Sequence, residues 1–281
     1  MNTLWSRLRS IVQWIQGFSP APSTAPSNVQ RMTTTAVRPG TDVAEFEVAN
    51  GRGQRFEPIL ERELDADLRV LASGLPGAAE GLLSVVEFPG PRGVPDLLVV
   101  ARGFASLRQR IANGAPYIES LADCTVVASL MVNRTVTSVS VAMATGMSME
   151  QVERRLRALA HSGLVIVHGQ GYRRRPDLEP IGRTYAFEAK VSDWRRGLSQ
   201  ALRYSAWCDA SSLVLLRAPT DIDSLRARCT DLDIGLAIRD EWVRKPRLGR
   251  PQPALRLAAS ERLALEVSRL DSETFGGSIG I

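Results

Sequence analysis

Lys190 and Lys245 are the only lysines in a chain that carries 35 Lys+Arg. Arginine serves ion pairs, surface charge and phosphate contacts well, but it does not readily release a proton. A lysine amine in a shaped site does. Lys190 stands two residues after Glu188, in the stretch YAFEAKV. Side chains alternate across an extended strand, so Glu188 and Lys190 share one face with the small Ala186. Tyr185, Phe187, Ala189 and Val191 form the other, apolar face. An acid and an amine set side by side next to an alanine leave room for a third group between them. With 30 Asp+Glu in the chain, that tripeptide alone is weak, and its meaning rests on the elements around it.

The segment DWRRGLSQALRYSAW that follows reads as a helix, with Gln200 and Tyr204 one turn apart on one face. SSLVLL predicts a buried strand, DIDSLRARCTD a further helix and IGLAIRD a final strand. Upstream, EPILERELDADLRVLASG predicts a helix with Pro58 in its first turn. Leu60, Leu64, Leu68 and Leu71 form its buried stripe, and Glu61 lies beside that stripe. LLSVVEFPG and GVPDLLVVA then read as neighbouring strands separated by Pro and Gly. Asp96 opens the second of them, directly after Pro95. Taken alone, such a Pro-Asp pair is first of all a turn former.

From about residue 104 the texture changes to helix, turn, helix, hairpin. Ser148 followed three residues later by Gln151 fits a capping box. Val152, Leu156 and Leu159 make the buried stripe of the second helix, which leaves Arg154, Arg155 and Arg157 mostly elsewhere on it. Gly163 is the expected stop. LVIVH, GQG and YRRR predict a short hairpin that carries Arg173, Arg174 and Arg175. This stretch, roughly residues 115–178, resembles the winged helix-turn-helix family of bacterial transcription regulators. The likeness makes the second helix the recognition helix and the hairpin the wing. The six arginines are then candidates for phosphate contacts, which position a protein on DNA without reading sequence. The competing reading is a protein-contact module with a solvated arginine face.

Residues 55–103 and 180–240 together resemble the PD-(D/E)xK nuclease superfamily, the restriction-endonuclease-like fold. The likeness rests on a helical acid at Glu61, Pro95-Asp96 and Glu188-Ala189-Lys190. Gln200-Ala201-Leu202-Arg203-Tyr204 is similar to the QxxxY element of its RecB-like branch. The implied fold is α/β, a mixed sheet flanked by helices and interrupted by a winged helix domain. The implied site has Asp96, Glu188 and Glu61 holding a divalent cation, Lys190 orienting or activating the attacking water, and Gln200 and Tyr204 supporting the site. Carboxylate oxygens without histidine or thiolate suit Mg²⁺ or Mn²⁺. The two acid motifs lie far apart in the chain, which a winged helix inserted between two core strands explains. Asp177, in RRRPDLEP, is the rival for the first motif and is closer to Glu188 in sequence. Asp96 is preferred because it leads into LLVVA, whereas a loop follows Asp177.

The expected organisation is an N-terminal helix and linker over 1–45, a first core part over 46–110, an inserted domain over 111–179, a second core part over 180–247, and a tail with a short helix over 248–281. The first segment is amphipathic through Leu4, Leu8, Ile11, Val12 and Ile15. Packing on its own protein is favoured for it, over a protein partner or a membrane surface. SPAPSTAPSNVQ has linker composition. A hydrophobic content of 44%, 23% charged residues, a net charge of +5 and a pI near 9.5 are ordinary for a globular protein with a mild preference for polyanions. Cys124, Cys208 and Cys229 show no paired spacing and read as reduced cytoplasmic thiols. His161 and His168 are too few for a zinc cluster. There is neither a secretory leader nor an apolar run of the roughly 18 residues a membrane span needs. The expected activity is Mg²⁺-dependent DNA cleavage, with a non-cleaving DNA-binding regulator or scaffold as the alternative. RNA is the weaker substrate, for want of an aromatic strand face. A double-strand break would favour a homodimer with two sites.

Overall fold

The computed structural model describes the strand Val43–Glu47 and residues 64–275. The N-terminal amphipathic stretch, Glu61 and the glycine-rich end lie outside the described residues. In chain order the elements are β1 (Val43–Glu47), α1 (Asp65–Ser73), β2 (Leu82–Val86), β3 (Leu97–Ala101), α2 (Phe104–Ala112), α3 (Leu121–Ser129), α4 (Ser138–Thr145) and α5 (Met149–His161). They continue with β4 (Val165–His168), β5 (Gly171–Arg174), β6 (Arg183–Lys190), α6 (Trp194–Tyr204), β7 (Ala210–Leu215), α7 (Ile222–Asp231), β8 (Gly235–Ile238), β9 (Glu241–Arg244) and α8 (Pro253–Phe275). The chain divides into two compact units. One is Met1–Arg102 with Gly182–Gly249, and the other is Gly103–Ile181 with Arg250–Ile281.

The first unit is α/β, a mixed seven-stranded sheet in the order β1-β2-β3-β6-β7-β8-β9. β3 runs antiparallel to its neighbours β2 and β6, and β6, β7 and β8 run parallel. The parallel pairs need crossovers, and α6 and α7 supply them. Ala101 pairs with Arg183, so the chain leaves and re-enters this unit at neighbouring points of one ladder. Alternation along the strands gives the sheet two buried faces. On one, Leu68 and Leu71 of α1 pack with Leu97, Val99, Tyr185, Phe187, Ala189 and Val214. On the other, Trp194, Leu198 and Ala201 of α6 and Leu225 and Cys229 of α7 cover Leu213, Leu215 and Leu236. Burial of both faces is why β3 reads as an unbroken apolar run.

The second unit is helical, with one two-stranded hairpin. α3, α4 and α5 pack around Cys124, Val127, Val141, Val152, Leu156 and Leu159. Ser148 caps α5 through both bonds of a capping box with Gln151. β4 and β5 pair antiparallel, and Val136 bridges to Tyr172 beside them. The hairpin therefore follows the expected register.

Two expectations are corrected. The C-terminal segment is not a linker with a short helix: α8 runs 23 residues and belongs to the second unit. Leu255, Leu257, Ala259 and Leu263 are buried along it, and so are Arg256 and Glu261. Polar residues at buried positions hid this face from a periodicity reading. The chain after the last expected strand also adds an edge strand, β9, antiparallel to β8. No helix among the described residues is long and apolar enough to cross a membrane.

Candidate active site

The pairing of β3 with β6 builds the site. Leu97 is opposite Phe187, and the Asp96 N–H donates to the Phe187 carbonyl at 3.0 Å. The next step of the ladder sets Asp96 across from Glu188. Asp96 Oδ2 accepts the Ala189 N–H at 2.7 Å, closing the end of the ladder. In the parallel pair on the other side, Glu188 is in register with Leu213. That residue lies on the face covered by α6, so Glu188 and Lys190 look toward α6.

Glu188 is fully buried. Its Oε1 lies 2.8 Å from Lys190 Nζ but accepts no well-directed hydrogen bond from the described residues. The ammonium also donates to the Ala189 carbonyl at 2.7 Å. Gly197 of α6 rests on the Lys190 stem, where a Cβ would come within 2.8 Å of Lys190 Cγ. Asp193 starts α6 by accepting the Arg196 N–H at 3.1 Å. The helix then delivers Gln200 and Tyr204 to its buried side.

Tyr204 holds the far side of Glu188. Its hydroxyl lies 2.5 Å from Glu188 Oε2 and 2.8 Å from the Val94 carbonyl, and its one proton serves both. Burial first, then the charge of Glu188, its hydrogen bond and the charge of Asp96 push the hydroxyl far above its ordinary pKa. Both carboxylates are thus felt at one hydroxyl. Gln200 is buried one turn earlier, and its Oε1 has no hydrogen-bond partner among the described residues. The structure brings together Asp96, Glu188, Lys190 and Tyr204, with Gln200 on the same helix face. Glu61 falls outside the described residues.

The loop from Phe88 to Pro95 completes the surroundings, and its role was not legible beforehand. Gly93 has φ +95° and presents its α-carbon to the Tyr204 ring, where a Cβ would sit 3.0 Å from Cε1. Gly90 packs on Trp207 even more closely, and Trp207 Nε1 donates to the Arg92 carbonyl at 3.4 Å. Trp207 stacks edge-on to Tyr204 with ring centres 6.1 Å apart. The available sign was an aromatic one turn after Tyr204, together with the Gly-Pro-Arg-Gly run between the strands.

The rival aspartate has a different occupation. Asp177, in the second unit, is buried and takes a two-pronged contact from Arg175 at 2.8 and 3.1 Å. Burial alone would raise its pKa, but hydrogen bonds from Asn113 and Arg175 hold it below the ordinary value. Arg175 also donates to the Gly163 carbonyl at 2.8 Å. Its guanidinium is therefore engaged within the second unit. Arg155 pairs with Asp123 at 2.6 Å. Arg173 donates to Thr135, and Arg174 reaches Glu179 at 3.4 Å. Arg154 and Arg157 are exposed on α5.

Two carboxylates with a spare buried oxygen fit a hard cation, because Mg²⁺ is commonly held by one or two carboxylates and keeps several waters. Among the described residues no group of three or more His, Cys, Asp or Glu side chains forms a metal cluster. Compared with protein-family models, curated proteins and solved structures, the chain matches none of them.

Proposed function

We propose that the chain is a metal-dependent nuclease that hydrolyses phosphodiester bonds in DNA, built on a PD-(D/E)xK core with an inserted winged helix. The observation that carries this reading is the Asp96–Glu188–Lys190 cluster. Two acids face each other across one ladder, an amine lies 2.8 Å from one of them, and that oxygen accepts no directed hydrogen bond among the described residues. The order of elements supports it: α1, β2, β3, β6, α6 and β7 form a helix, three antiparallel strands, a crossover helix and a parallel strand. The second unit interrupts this order between β3 and β6. Its helices α3, α4 and α5 with the hairpin suit a winged helix, with α5 as the recognition helix and Arg154, Arg157, Arg173 and Arg174 as cations for phosphate.

Asp96 and Glu188 would hold Mg²⁺ or Mn²⁺, with Glu61 as the third acid of the resemblance. When bound, such a cation would supply positive charge at the scissile phosphate and its attacking water. The amine of Lys190 orients the attacking water and stabilises negative charge as the new phosphorus–oxygen bond forms and the old one breaks. The water loses one proton and the leaving oxygen gains one. Tyr204 fixes the Glu188 carboxylate, which must keep one rotamer to serve as a ligand.

A second reading, a DNA-binding protein that does not cleave, is favoured by the depth of Glu188, which is 0% exposed. Cleavage of supercoiled, linear and single-stranded DNA with Mg²⁺ or Mn²⁺ separates the two. The nuclease reading expects nicking or digestion by the wild type and by Asp177→Asn, and none by Asp96→Ala. DNA bound but never cut would replace it with the second reading.

A further inference from the structure

Two exposed arginines of the first unit lie beside the site. Arg92 sits on the loop that Gly90, Gly93 and Val94 pin to Trp207 and Tyr204. Its carbonyl is held by Trp207 Nε1 while its side chain is exposed. Arg203 is exposed on α6, next to Tyr204, and its positive charge is felt at the Tyr204 hydroxyl. The helix WRRGLSQALRY contains no acid. Several other arginines of this unit are paired: Arg102 with Glu80, Arg226 with Asp223 and Arg244 with Asp233. Neither Arg92 nor Arg203 pairs with a carboxylate among the described residues. Two arginines are therefore carried by backbone that is fixed on the same tyrosine, and that tyrosine touches Glu188.

Resting on the nuclease reading, we propose that Arg92 and Arg203 grip backbone phosphates of a DNA strand laid across the Asp96–Glu188 site. The first unit then positions its own substrate. A guanidinium presents paired donors that match phosphate oxygens. A repeating polyanion answers two such forks, while a single acidic side chain answers one. The pinned loop matters because a cation on a fixed backbone gives up less freedom when it binds.

The test is binding of a short fluorescent DNA duplex over a salt series with no divalent cation added, so that cleavage does not enter. Wild type is compared with Arg92→Ala, Arg203→Ala, the double variant and Arg226→Ala, which removes one charge from a paired arginine. Each single change at Arg92 or Arg203 is expected to weaken binding roughly two- to fivefold, as for an exposed ion pair. The double change should also flatten the plot of log affinity against log salt by about 0.9 for each lost phosphate contact. Arg226→Ala should match wild type. An unchanged slope in the double variant, or a wild type that does not bind DNA, overturns the proposal. A wild type that binds through these arginines yet never cleaves leaves the interface standing and removes the nuclease reading. Asp96-dependent cleavage with unchanged KM and salt slope in the double variant does the reverse.

Discussion

Each unit of this protein buries an acid against a base, and the two pairs are finished differently. In the second unit, Arg110 and Glu261 are 1% and 2% exposed. Glu261 accepts from Arg110 Nε at 2.8 Å, from an Arg110 terminal nitrogen at 2.6 Å and from the Ile118 N–H at 2.9 Å. Arg110 also donates to the carbonyls of Ala115 and Pro116 and lies over the Tyr117 ring at 4.7 Å. Burial works against its charge, but the bonds and charge of Glu261 hold its pKa above the ordinary value. In the first unit, Glu188 is as deeply buried, yet one of its oxygens has the Lys190 ammonium at 2.8 Å and no directed bond among the described residues. A second carboxylate, Asp96, stands across the ladder from it.

The difference separates scaffold from chemistry. Leaving a buried charge short of hydrogen bonds costs stability. The second unit avoids that cost at Glu261, and its pair ties α8 to the segment after α2. In the first unit, Glu188 is held by Tyr204 and by the nearby Lys190 with fewer directed bonds among the described residues.

The largest expected effect tests the chemical side. Asp96→Ala and Glu188→Gln should each lower metal-dependent cleavage by on the order of 10³-fold, comparable with the loss of a key electrostatic group. Lys190→Arg should fail almost as badly as Lys190→Ala, because the charge stays but the compact amine is gone. Full activity in Lys190→Arg would break the assignment of Lys190.

The next effect reverses the ranking of the two pairs. Glu261→Gln should destabilise the protein by about 3–5 kcal/mol, because Arg110 is left buried and cannot shed its proton. Glu188→Gln should cost markedly less. It keeps an acceptor for Tyr204, and Lys190 still donates to the Ala189 carbonyl and is 10% exposed along its side chain. Denaturant unfolding of both variants measures the difference. Equal losses would mean that Glu188 is as structural as Glu261.

How far these features were legible follows from the range of the interactions. The alternation on β6 is local, so the shared face of Glu188 and Lys190 could be read directly. The capping box of α5 and the β4–β5 hairpin are local too. Arg110 and Glu261 are 151 residues apart, and nothing near either one announces the other. As a result α8 read as a tail. Asp96 and Asp177 both follow a proline, and the dipeptide does not separate them. Strand register joins Asp96 to Glu188, and a two-residue contact with Arg175 accounts for Asp177. The pinned loop was hidden for a similar reason, since Gly93 meets Tyr204 only after two strands have paired and a helix has crossed over them.

Tyr204 links the two sides of the comparison at a smaller scale. Tyr204→Phe removes the bond to Glu188 Oε2 and should cost about 1 kcal/mol of stability. Its effect on cleavage should fall on kcat rather than KM, by roughly tenfold for about 1.4 kcal/mol of lost positioning. The hydroxyl pKa is raised, so its stabilising contribution is complete below the unfolded value of about 10 and is lost only as pH rises toward the folded one. Wild type and Tyr204→Phe should therefore lose stability differently only in strongly alkaline solution. A difference that opens near neutral pH would place another group at the Tyr204 position of the site.

The smallest effect concerns Asp177, which the comparison assigns to scaffold. Its folded pKa is depressed by Asn113 and Arg175. The contribution is therefore present above the unfolded carboxylate value of about 3.9 and disappears as pH falls through the folded one. Asp177→Asn removes that dependence, so variant and wild type should converge in stability as the solution is acidified. At neutral pH the variant should unfold more easily by about 1–3 kcal/mol, the loss of a hydrogen bond to a charged group. Cleavage by the folded variant should be unchanged. A variant of normal stability that no longer cuts DNA would transfer the metal-binding role from Asp96 to Asp177 and dissolve the distinction between the two pairs.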